Sequence, residues 1–361
     1  MRVLHVGKFY PPSPGGMERV VETLCQSSRG LVESHVLAAN AGRKTTQEIV
    51  DGVHVTRVGT IGAVGSVHIA PAFAWWLRRL QADLIVLHEP NPWALLSYAI
   101  ARPKAPLVVW YHSDVVRPPL QYALFYAPFA NFVYGRARRI VVSSPPLGEH
   151  AVALARFRDR IRVIPFGIDP APWTAPANTS ATPVDSFVLF AGRHVAYKGV
   201  DVLLRALAKT DARAIIAGDG PKREAWERLS RDLGLNGRVT FAGEVSDVEL
   251  RRLMHDCALL VLPSVTAAEA FGYVQLEAMA SGKPVISTDV PSGVSWVNQD
   301  TRTGLIVPAG DDEALRRAIE RLMGDASLRA RLGEGGRARV EQEFTIDQLR
   351  ERLRALYEEA C

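Results

Sequence analysis

The stretch Glu269-Ala-Phe-Gly-Tyr-Val-Gln-Leu-Glu277, followed by Ala278-Met-Ala-Ser-Gly-Lys-Pro284, indicates most about the fold of this chain. Its two carboxylates bracket a Phe-Gly turn and the start of a predicted helix, which the Gly-Lys-Pro sequence ends before a buried strand. If the helix begins near Gly272, the backbone N–H groups of Tyr273, Val274 and Gln275 have no intrahelical partner. The positive end of the helix dipole then favours an anion, and a diphosphate fits there.

Glu277, about a turn further along the predicted helix, is placed to accept hydrogen bonds from hydroxyl donors such as a ribose diol. The alternative interpretation is a solvated helix that carries two surface acids.

Other motifs occur in a fixed order along the chain, and with this stretch they resemble those of retaining, nucleotide-sugar-dependent glycosyltransferases of family 4. They are Lys8-Phe-Tyr-Pro-Pro-Ser-Pro-Gly-Gly-Met-Glu18, Pro165-Phe-Gly-Ile-Asp169, Phe190-Ala-Gly-Arg193 and Tyr197-Lys198-Gly199. Phe166 departs from the family, which more often has Asn there. The resemblance covers nearly the whole chain and implies the α/β GT-B fold, in which two doubly wound, Rossmann-like parallel-sheet domains face an interdomain cleft.

Composition is that of a globular protein of two ordinary domains, with 361 residues, 48% hydrophobic and 22% charged. Residues 1–175 carry 19 Lys and Arg against 11 Asp and Glu, and the remainder 24 against 27. This basic first half favours an anionic membrane or a pyrophosphate-bearing acceptor as partner. Nucleic acid is not expected, because no binding motif accompanies the charge. The three cysteines, and the lack of a signal peptide or a spanning apolar run, predict a cytoplasmic protein.

Short apolar runs alternate with helix-length segments, a pattern that predicts parallel sheets in both halves. The strands are predicted at 2–6, 35–38, 53–58, 84–88, 107–111, 140–143, 161–164, 187–191, 213–217, 239–242, 259–262, 285–287 and 304–307. We expect an N-terminal acceptor-binding domain at 1–168, a proline-rich linker at 169–185, a C-terminal nucleotide-sugar-binding domain at 186–345, and a final helix at 346–361. By resemblance, that helix packs back on the N-terminal domain.

Arg193 and Lys198 follow the predicted strand 187–191, at the carboxyl edge where open α/β sheets bind ligands. They are predicted to stabilise the leaving diphosphate in place of a metal ion, because no Asp-x-Asp pair occurs in the sequence. No cofactor and no metal are therefore expected. Gly15-Gly16 predicts a close backbone approach to a ligand at the start of a helix, and the alternative is a simple tight turn.

Trp110-Tyr-His-Ser-Asp114 ends another predicted strand, and by resemblance His112 is the active-site histidine near the C6 end of the sugar. Glu269 is the acid expected nearest the sugar, and the segment His88-Glu-Pro-Asn91 is a candidate lining of the acceptor side. In the family, backbone groups near Val245 hold the nucleobase. The predicted catalytic residues are His112, Glu269, Arg193 and Lys198. The predicted nucleotide-sugar contacts are Gly15, Gly16, Arg193, Lys198, Val245, Phe271, Gly272, Tyr273, Val274 and Glu277.

Tyr122–Arg139 combines aromatic residues with a basic cluster, and Trp75-Trp-Leu-Arg-Arg79 resembles it in composition. Both suit a peripheral contact with an anionic membrane and a lipid-linked acceptor. A buried aromatic core with a solvated basic end explains the same pattern.

His112-Ser-Asp-Val-Val-Arg117 and Ser295-Trp-Val-Asn-Gln-Asp300 are similar to bacterial mannosyl- and rhamnosyltransferases of O-antigen and exopolysaccharide synthesis. The resemblance implies a retaining transfer of a hexose, with GDP-mannose as donor and a polyprenyl-diphosphate-linked sugar as acceptor. A UDP-sugar-dependent transferase, a nucleotide-sugar 2-epimerase of the same fold and a non-catalytic nucleotide-binding scaffold are the alternatives.

Overall fold

The computed structural model describes residues 1–13, 15–65, 67–114, 126–174 and 186–361. The chain divides into two compact units. Unit 1 consists of Met1–Gly167 together with Ile346–Cys361, and unit 2 consists of Ile168–Thr345. Part of the predicted linker therefore belongs to unit 2, where Trp173 is 5% exposed. Residues 175–185 of that linker lie outside the described residues.

Unit 1 is built on an eight-stranded sheet with the order β10-β9-β8-β7-β1-β2-β4-β3. The strands are β1 (Arg2–Val6), β2 (Glu33–Ala39), β3 (Thr46–Val50), β4 (Val53–Val58), β7 (Leu84–Glu89), β8 (Leu107–Tyr111), β9 (Arg139–Val142) and β10 (Ile161–Val163); β5 (Gly62–Val64) and β6 (Val67–Ile69) form a separate hairpin. The helices are α1 (Gly16–Ser27), α2 (Phe73–Arg79), α3 (Pro92–Ala101), α4 (Ala127–Arg136) and α5 (Pro145–His150). The central strands β7 and β8 are buried along their whole length, as continuous apolar runs between helical layers should be.

One sequence prediction for unit 1 is wrong. A helix-length segment without a strand was expected between β2 and β4, but β3 lies there and pairs antiparallel with β4 at the edge of the sheet. Four of its five residues are exposed, so the apolar alternation that marks a half-buried strand is missing from its sequence.

The last helix, α13 (Ile346–Ala360), belongs to unit 1. Its apolar face, which includes Leu349, Leu353 and Leu356, is buried. The Tyr357 hydroxyl lies 3.0 Å from Ser28 Oγ, just after α1, and Glu359 forms a 2.6 Å ion pair with Arg139. The chain therefore returns to its first unit after completing the second.

Unit 2 contains a six-stranded, entirely parallel sheet with the order β13-β12-β11-β14-β15-β16. Its strands are β11 (Val188–Ala191), β12 (Ala214–Ala217), β13 (Val239–Gly243), β14 (Leu259–Leu262), β15 (Val285–Thr288) and β16 (Gly304–Val307). Its helices are α6 (Val200–Leu207), α7 (Arg223–Asp232), α8 (Asp247–Asp256), α9 (Val274–Ala280), α10 (Val294–Val297), α11 (Asp312–Gly324) and α12 (Ala326–Glu343). Two Rossmann-like units were expected, and this fold class is confirmed.

The order of the strands reverses once in each sheet. In unit 1 successive strands run outward from β1 in one direction and from β7 in the other, and in unit 2 the reversal lies between β11 and β14. Ligands of open parallel sheets bind beyond the carboxyl ends of the strands at such a switch point. The loops that follow these four strands are therefore where chemistry is expected.

Candidate active site

A close ion pair lies at the switch point of unit 2. Lys198, in the loop after β11, places its Nζ 2.5 Å from Oε2 of Glu269, in the loop after β14. Both side chains are about one tenth exposed, at 12% and 10%. Ser264 Oγ donates to the same carboxylate oxygen at 3.1 Å. The sequence suggested Lys198 and Glu269 as separate groups, and the structure joins them.

Glycine at position 199 makes this pairing possible. Gly199 follows the short 3-10 helix Ala196–Lys198 and has a left-handed backbone, with φ of 65°. A Cβ here would overlap the carbonyl oxygen of Pro263 in the loop after β14. The Val265 N–H also donates to the Tyr197 carbonyl at 2.8 Å. The backbones of the two loops are thus in contact, and this contact positions Lys198 beside Glu269.

The charge of Lys198 is set by two opposing effects. Burial disfavours the ammonium ion, but the nearby Glu269 carboxylate outweighs it and raises the pKa of Lys198 above its usual value. Lys198 is therefore charged at neutral pH. A partly buried cation of this kind can stabilise a second anion more strongly than a fully hydrated lysine can.

Arg193 lies in the same loop as Lys198 and is exposed. A Cβ at its neighbour Gly192 would stand 3.5 Å from Lys198 Nζ, so the backbone beside Arg193 passes close to the ion pair. The loop after β11 therefore offers one solvent-accessible guanidinium and one ammonium held by a carboxylate.

The amino end of α9 differs from the prediction. The helix begins at Val274 rather than near Gly272, and the Gln275 N–H donates to the Gly272 carbonyl at 2.9 Å. The expectation that Gln275 has an unpaired N–H is therefore wrong. Gly272 is left-handed, with φ of 72°, and a Cβ there would lie 2.5 Å from Leu262 Cδ2.

Several predicted nucleotide contacts are buried inside unit 2. Phe271 is 3% exposed and meets Phe344 edge-on, with ring centroids 6.2 Å apart. Glu277 is 2% exposed, and its role as an acceptor for ribose hydroxyls stays a prediction. Tyr273 and Val274 are half-buried. Val245 is also half-buried, in the loop between β13 and α8.

Asn298, in the second sequence resembling mannosyl- and rhamnosyltransferases, has a structural role. Its Nδ2 donates to the carbonyl oxygens of Val285 and Leu305, at 3.2 and 3.1 Å, and so joins β15 to β16. Arg117, in the first of these sequences, lies outside the described residues.

At the switch point of unit 1, three histidines form a continuous row. His5 Nδ1 lies 3.1 Å from His88 Nε2, and His88 Nδ1 lies 3.0 Å from His112 Nε2. His5 and His88 are completely buried, and His112 is partly exposed. Phe166 stacks on His112 with ring centroids 6.1 Å apart, so the residue that departs from the family sequence packs against the predicted active-site histidine. The sequence singled out His112 but gave His5 no role.

The predicted acceptor-side segment, which begins with the last two residues of β7, is largely buried. Glu89 is fully buried and accepts a hydrogen bond from the Tyr126 hydroxyl, while Asn91 caps α3 by accepting from the Ala94 N–H at 3.2 Å. Burial raises the pKa of Glu89 to about 8, although the Tyr126 hydrogen bond opposes this. That this segment lines the acceptor side stays a prediction.

Gly15 and Gly16 lie at the amino end of α1, as predicted, with Gly16 as its first residue. A Cβ at Gly15 would overlap the carboxylate of Glu18, whose side chain folds back over this helix end. A carboxylate there interacts favourably with the helix dipole. Any anionic ligand at this position would therefore meet the charge of Glu18.

Within the described ranges, one group of side chains has ligands suited to a metal ion. Glu33, His35 and His54 place one ligand atom each within 4.8 Å of one another. They lie at the amino ends of β2 and β4, whereas His112 follows the carboxyl end of β8. This cluster is thus at the opposite edge of the sheet from the histidine row.

The aromatic segment divides into core and surface. Tyr122 and Phe125 lie outside the described residues, whereas Tyr126 and Tyr134 are buried. Phe132 is half-buried between the guanidinium groups of Arg102 and Arg136, each 5.5 Å from its ring centroid. Trp75 is 53% exposed, with Arg79 over its ring. None of the helices the structure describes has the length and apolarity to span a bilayer.

Comparison with known proteins gives matches over both units. The model of Glycosyltransferase Family 4 matches residues 14–172, and that of Glycosyl transferases group 1 matches residues 176–339. O-antigen chain mannosyltransferase C of Escherichia coli is 31% identical over 360 residues, with 97% of this chain and 96% of that protein covered. The D-rhamnosyltransferase WbpZ of Pseudomonas aeruginosa is 32% identical over 354 residues, with 96% of this chain and 92% of that protein covered.

A solved structure gives an independent match to the fold. HepE from Anabaena, determined in complex with UDP-glucose, superposes with a TM-score of 0.78 at 21% identity, with 99% of both chains covered. At this identity the match concerns the fold alone.

Proposed function

Because this chain belongs to glycosyltransferase family 4, we propose that it is a retaining transferase that moves mannose from GDP-mannose to a sugar acceptor on a polyprenyl diphosphate. Two relatives that match nearly the whole chain, named as a mannosyltransferase of O-antigen chains and a D-rhamnosyltransferase, support a hexose of this kind. The observation that carries the proposal is the Lys198–Glu269 ion pair at the switch point of unit 2.

The proposed reaction breaks the bond between the anomeric carbon and the diphosphate oxygen, and forms one from that carbon to an acceptor hydroxyl oxygen. Negative charge grows on the departing diphosphate. Arg193 is exposed and able to engage two phosphate oxygens, and Lys198 supplies a second positive charge in the same loop. The acceptor proton passes to the departing phosphate, so no protein base is required and no metal ion is invoked.

Glu269 and His112 have different proposed roles. Glu269 holds Lys198 charged and in place, at 2.5 Å. Its carboxylate is the acid we expect nearest the sugar. His112 hydrogen-bonds a sugar hydroxyl with its outer ring nitrogen. Glu277→Ala is expected to weaken nucleotide binding, and Glu269→Ala to lower turnover.

Peripheral membrane contact is supported by a basic surface on unit 1, at the edge of the sheet opposite His112, which we define as Arg102, Lys104, Arg136 and Arg138. These residues line a cavity of about 470 Å³ at the amino ends of β8 and β9. We propose that the basic surface contacts an anionic membrane, where each Lys or Arg near the bilayer is worth about 1 kcal/mol. Sedimentation with phosphatidylglycerol vesicles should fall for Lys104→Glu with Arg136→Glu and remain for Arg228→Glu, an exposed control in unit 2. Equal sedimentation of the unmodified protein, the double variant and the Arg228→Glu control would contradict the membrane proposal.

A UDP-sugar donor is the second candidate, because the HepE structure of the same fold contains UDP-glucose. Thermal unfolding with GDP-, UDP-, dTDP- and ADP-sugars separates the candidates. A ligand present at 100 times its dissociation constant adds about 2.7 kcal/mol of stability. We expect GDP-mannose to stabilise most. Stabilisation by UDP-sugars alone would overturn the GDP assignment, and isomerisation of the donor without acceptor would indicate an epimerase.

A further inference from the structure

The row His5–His88–His112 connects the interior of unit 1 to the predicted active-site histidine. Each member comes from a different strand or strand end, β1, β7 and β8, and these three strands are neighbours in the sheet. His5 and His88 are the last residues but one of their strands, and His112 directly follows β8. The fold therefore aligns three imidazoles across the sheet with two contacts of hydrogen-bond length.

The three rings are neutral at pH 7. Burial lowers the pKa of His5 to about 4 and that of His112 to about 3, and it lowers the pKa of His88 well below its usual value. A neutral imidazole has one N–H and one acceptor nitrogen. Each contact in the row needs one donor and one acceptor, so the two contacts can both be hydrogen bonds only if all three rings share the same tautomer.

The inner end of the row decides between the two shared tautomers. His5 Nε2 is buried and has no hydrogen-bond partner within the part of the chain that the structure describes. With every proton on Nε2, this nitrogen would be an unpaired buried donor; among buried backbone groups unpaired donors are rarer than unpaired acceptors, and we apply the same preference to this ring. With every proton on Nδ1, both contacts are satisfied, and His112 carries its proton on the outer nitrogen.

We propose that His5 and His88 are positioning residues that fix His112 as the Nδ1–H tautomer, so that its outer nitrogen donates a hydrogen bond to a ligand oxygen. The row also restricts rotation of the His112 ring. Phe166 stacks on one face of that ring, with the two ring centroids 6.1 Å apart. The identity of that ligand as a sugar with hydroxyl groups rests on the proposed function, whereas the tautomer does not. A donor at this position suits a hydroxyl or phosphate oxygen and excludes His112 as a general base.

The tautomers are measured by two-bond ¹H–¹⁵N correlation spectra of the full-length protein labelled with ¹⁵N-histidine, without any sugar nucleotide. We expect protonated Nδ1 and unprotonated Nε2 for His5, His88 and His112 alike. Assignment uses the single replacements His5→Phe, His88→Phe and His112→Phe. Protonation of Nε2 in His112, or different tautomers within the row, would overturn the proposal.

Replacement of His88 tests whether the row is the cause. His88→Phe removes the partner of His112 Nε2, and we expect His112 to shift toward the Nε2–H tautomer that free imidazole side chains prefer. His35→Phe, a change outside the row in the same unit, should leave the His112 signals unchanged. If His112 keeps Nδ1–H in His88→Phe, another group sets its tautomer and the proposal fails. Failure of mannose transfer in a separate assay would instead reject the proposed function and leave the tautomer result standing.

Discussion

Lys198 and Glu269 illustrate how much the chemistry of a single residue depends on a partner distant in sequence. Both were predicted as site residues from their motifs, but their 2.5 Å contact was not. The sequence could not show it, because the pairing depends on β14 lying beside β11 although two strands, β12 and β13, intervene in the chain. The same reason hid the role of His5, which meets His88 only through the neighbouring position of β1 and β7.

At the residue scale, Glu89 gives a testable pH dependence of stability. Its folded-state pKa of about 8 exceeds the usual value of 4.5, so the folded protein holds this proton more tightly than the unfolded chain. Its contribution to the free energy of unfolding is fully present below pH ~4.5 and is lost as the pH rises to about 8. Between these limits the loss is on the order of 3–5 kcal/mol.

Glu89→Gln should therefore remove this loss. We measure the free energy of unfolding of both proteins in urea at pH 5 and at pH 9. The difference between the variant and the unmodified protein should favour the variant more at pH 9 than at pH 5. Glu224→Gln changes an acid whose side chain is 88% exposed and serves as the control. Parallel stability changes in the two variants would contradict a raised pKa for Glu89.

At the scale of elements, thirteen strands were predicted to within two residues, but the edge strand β3, the hairpin strands β5 and β6 and the start of α9 were not. Buried strands leave a clear apolar run in the sequence, whereas β3 is mostly exposed and α9 starts where the tight turn at Gly272 ends. The local pattern of apolar residues thus predicts strands and helices that are packed on both faces. It misses strands at the edge of a sheet, and helix ends that depend on how a neighbouring loop packs.

The loop contact that delivers Lys198 is tested by a pair of glycine replacements. Gly199 and Gly234 have similar left-handed backbones, with φ of 65° and 70°, so alanine costs each about 1–2 kcal/mol of strain. Only Gly199 also faces a carbonyl oxygen, that of Pro263, while nothing lies within 4 Å of a Cβ at Gly234. We expect Gly199→Ala to lose a further ~1–3 kcal/mol in denaturant unfolding and to lower turnover. Equal losses of stability in both variants would show that the loop contact is unimportant.

At the scale of the whole molecule, the chain forms two units, and α13 belongs to the first although it follows the second in sequence. The two Rossmann-like units and the family were predictable because several motifs occur in the right order along the chain. The buried positions of Phe271 and Glu277 were not, because burial depends on how α9 packs within unit 2.

Leu353→Ala tests whether α13 belongs to unit 1. Leu353 is completely buried, so we expect a loss of about 2–5 kcal/mol, confined to unit 1. Hydrogen exchange should show faster exchange in strands such as β1 and β2 and unchanged exchange in β11 and β14. Arg354→Ala, which changes an exposed neighbour, should alter neither. Faster exchange in unit 2 alone would contradict the assignment of this helix.

The central claim is that the charge of Lys198, held by Glu269, stabilises a departing diphosphate. The most direct test is the turnover of Lys198→Ala beside that of Lys209→Ala, an exposed lysine of unit 2 that pairs with Asp312 at 2.8 Å. Assays use GDP-mannose and a polyprenyl-diphosphate-linked acceptor. We predict a loss of ~10²-fold or more in kcat for Lys198→Ala and a nearly unchanged kcat for Lys209→Ala. A folded Lys198→Ala protein that transfers sugar as fast as the unmodified enzyme would contradict the claim.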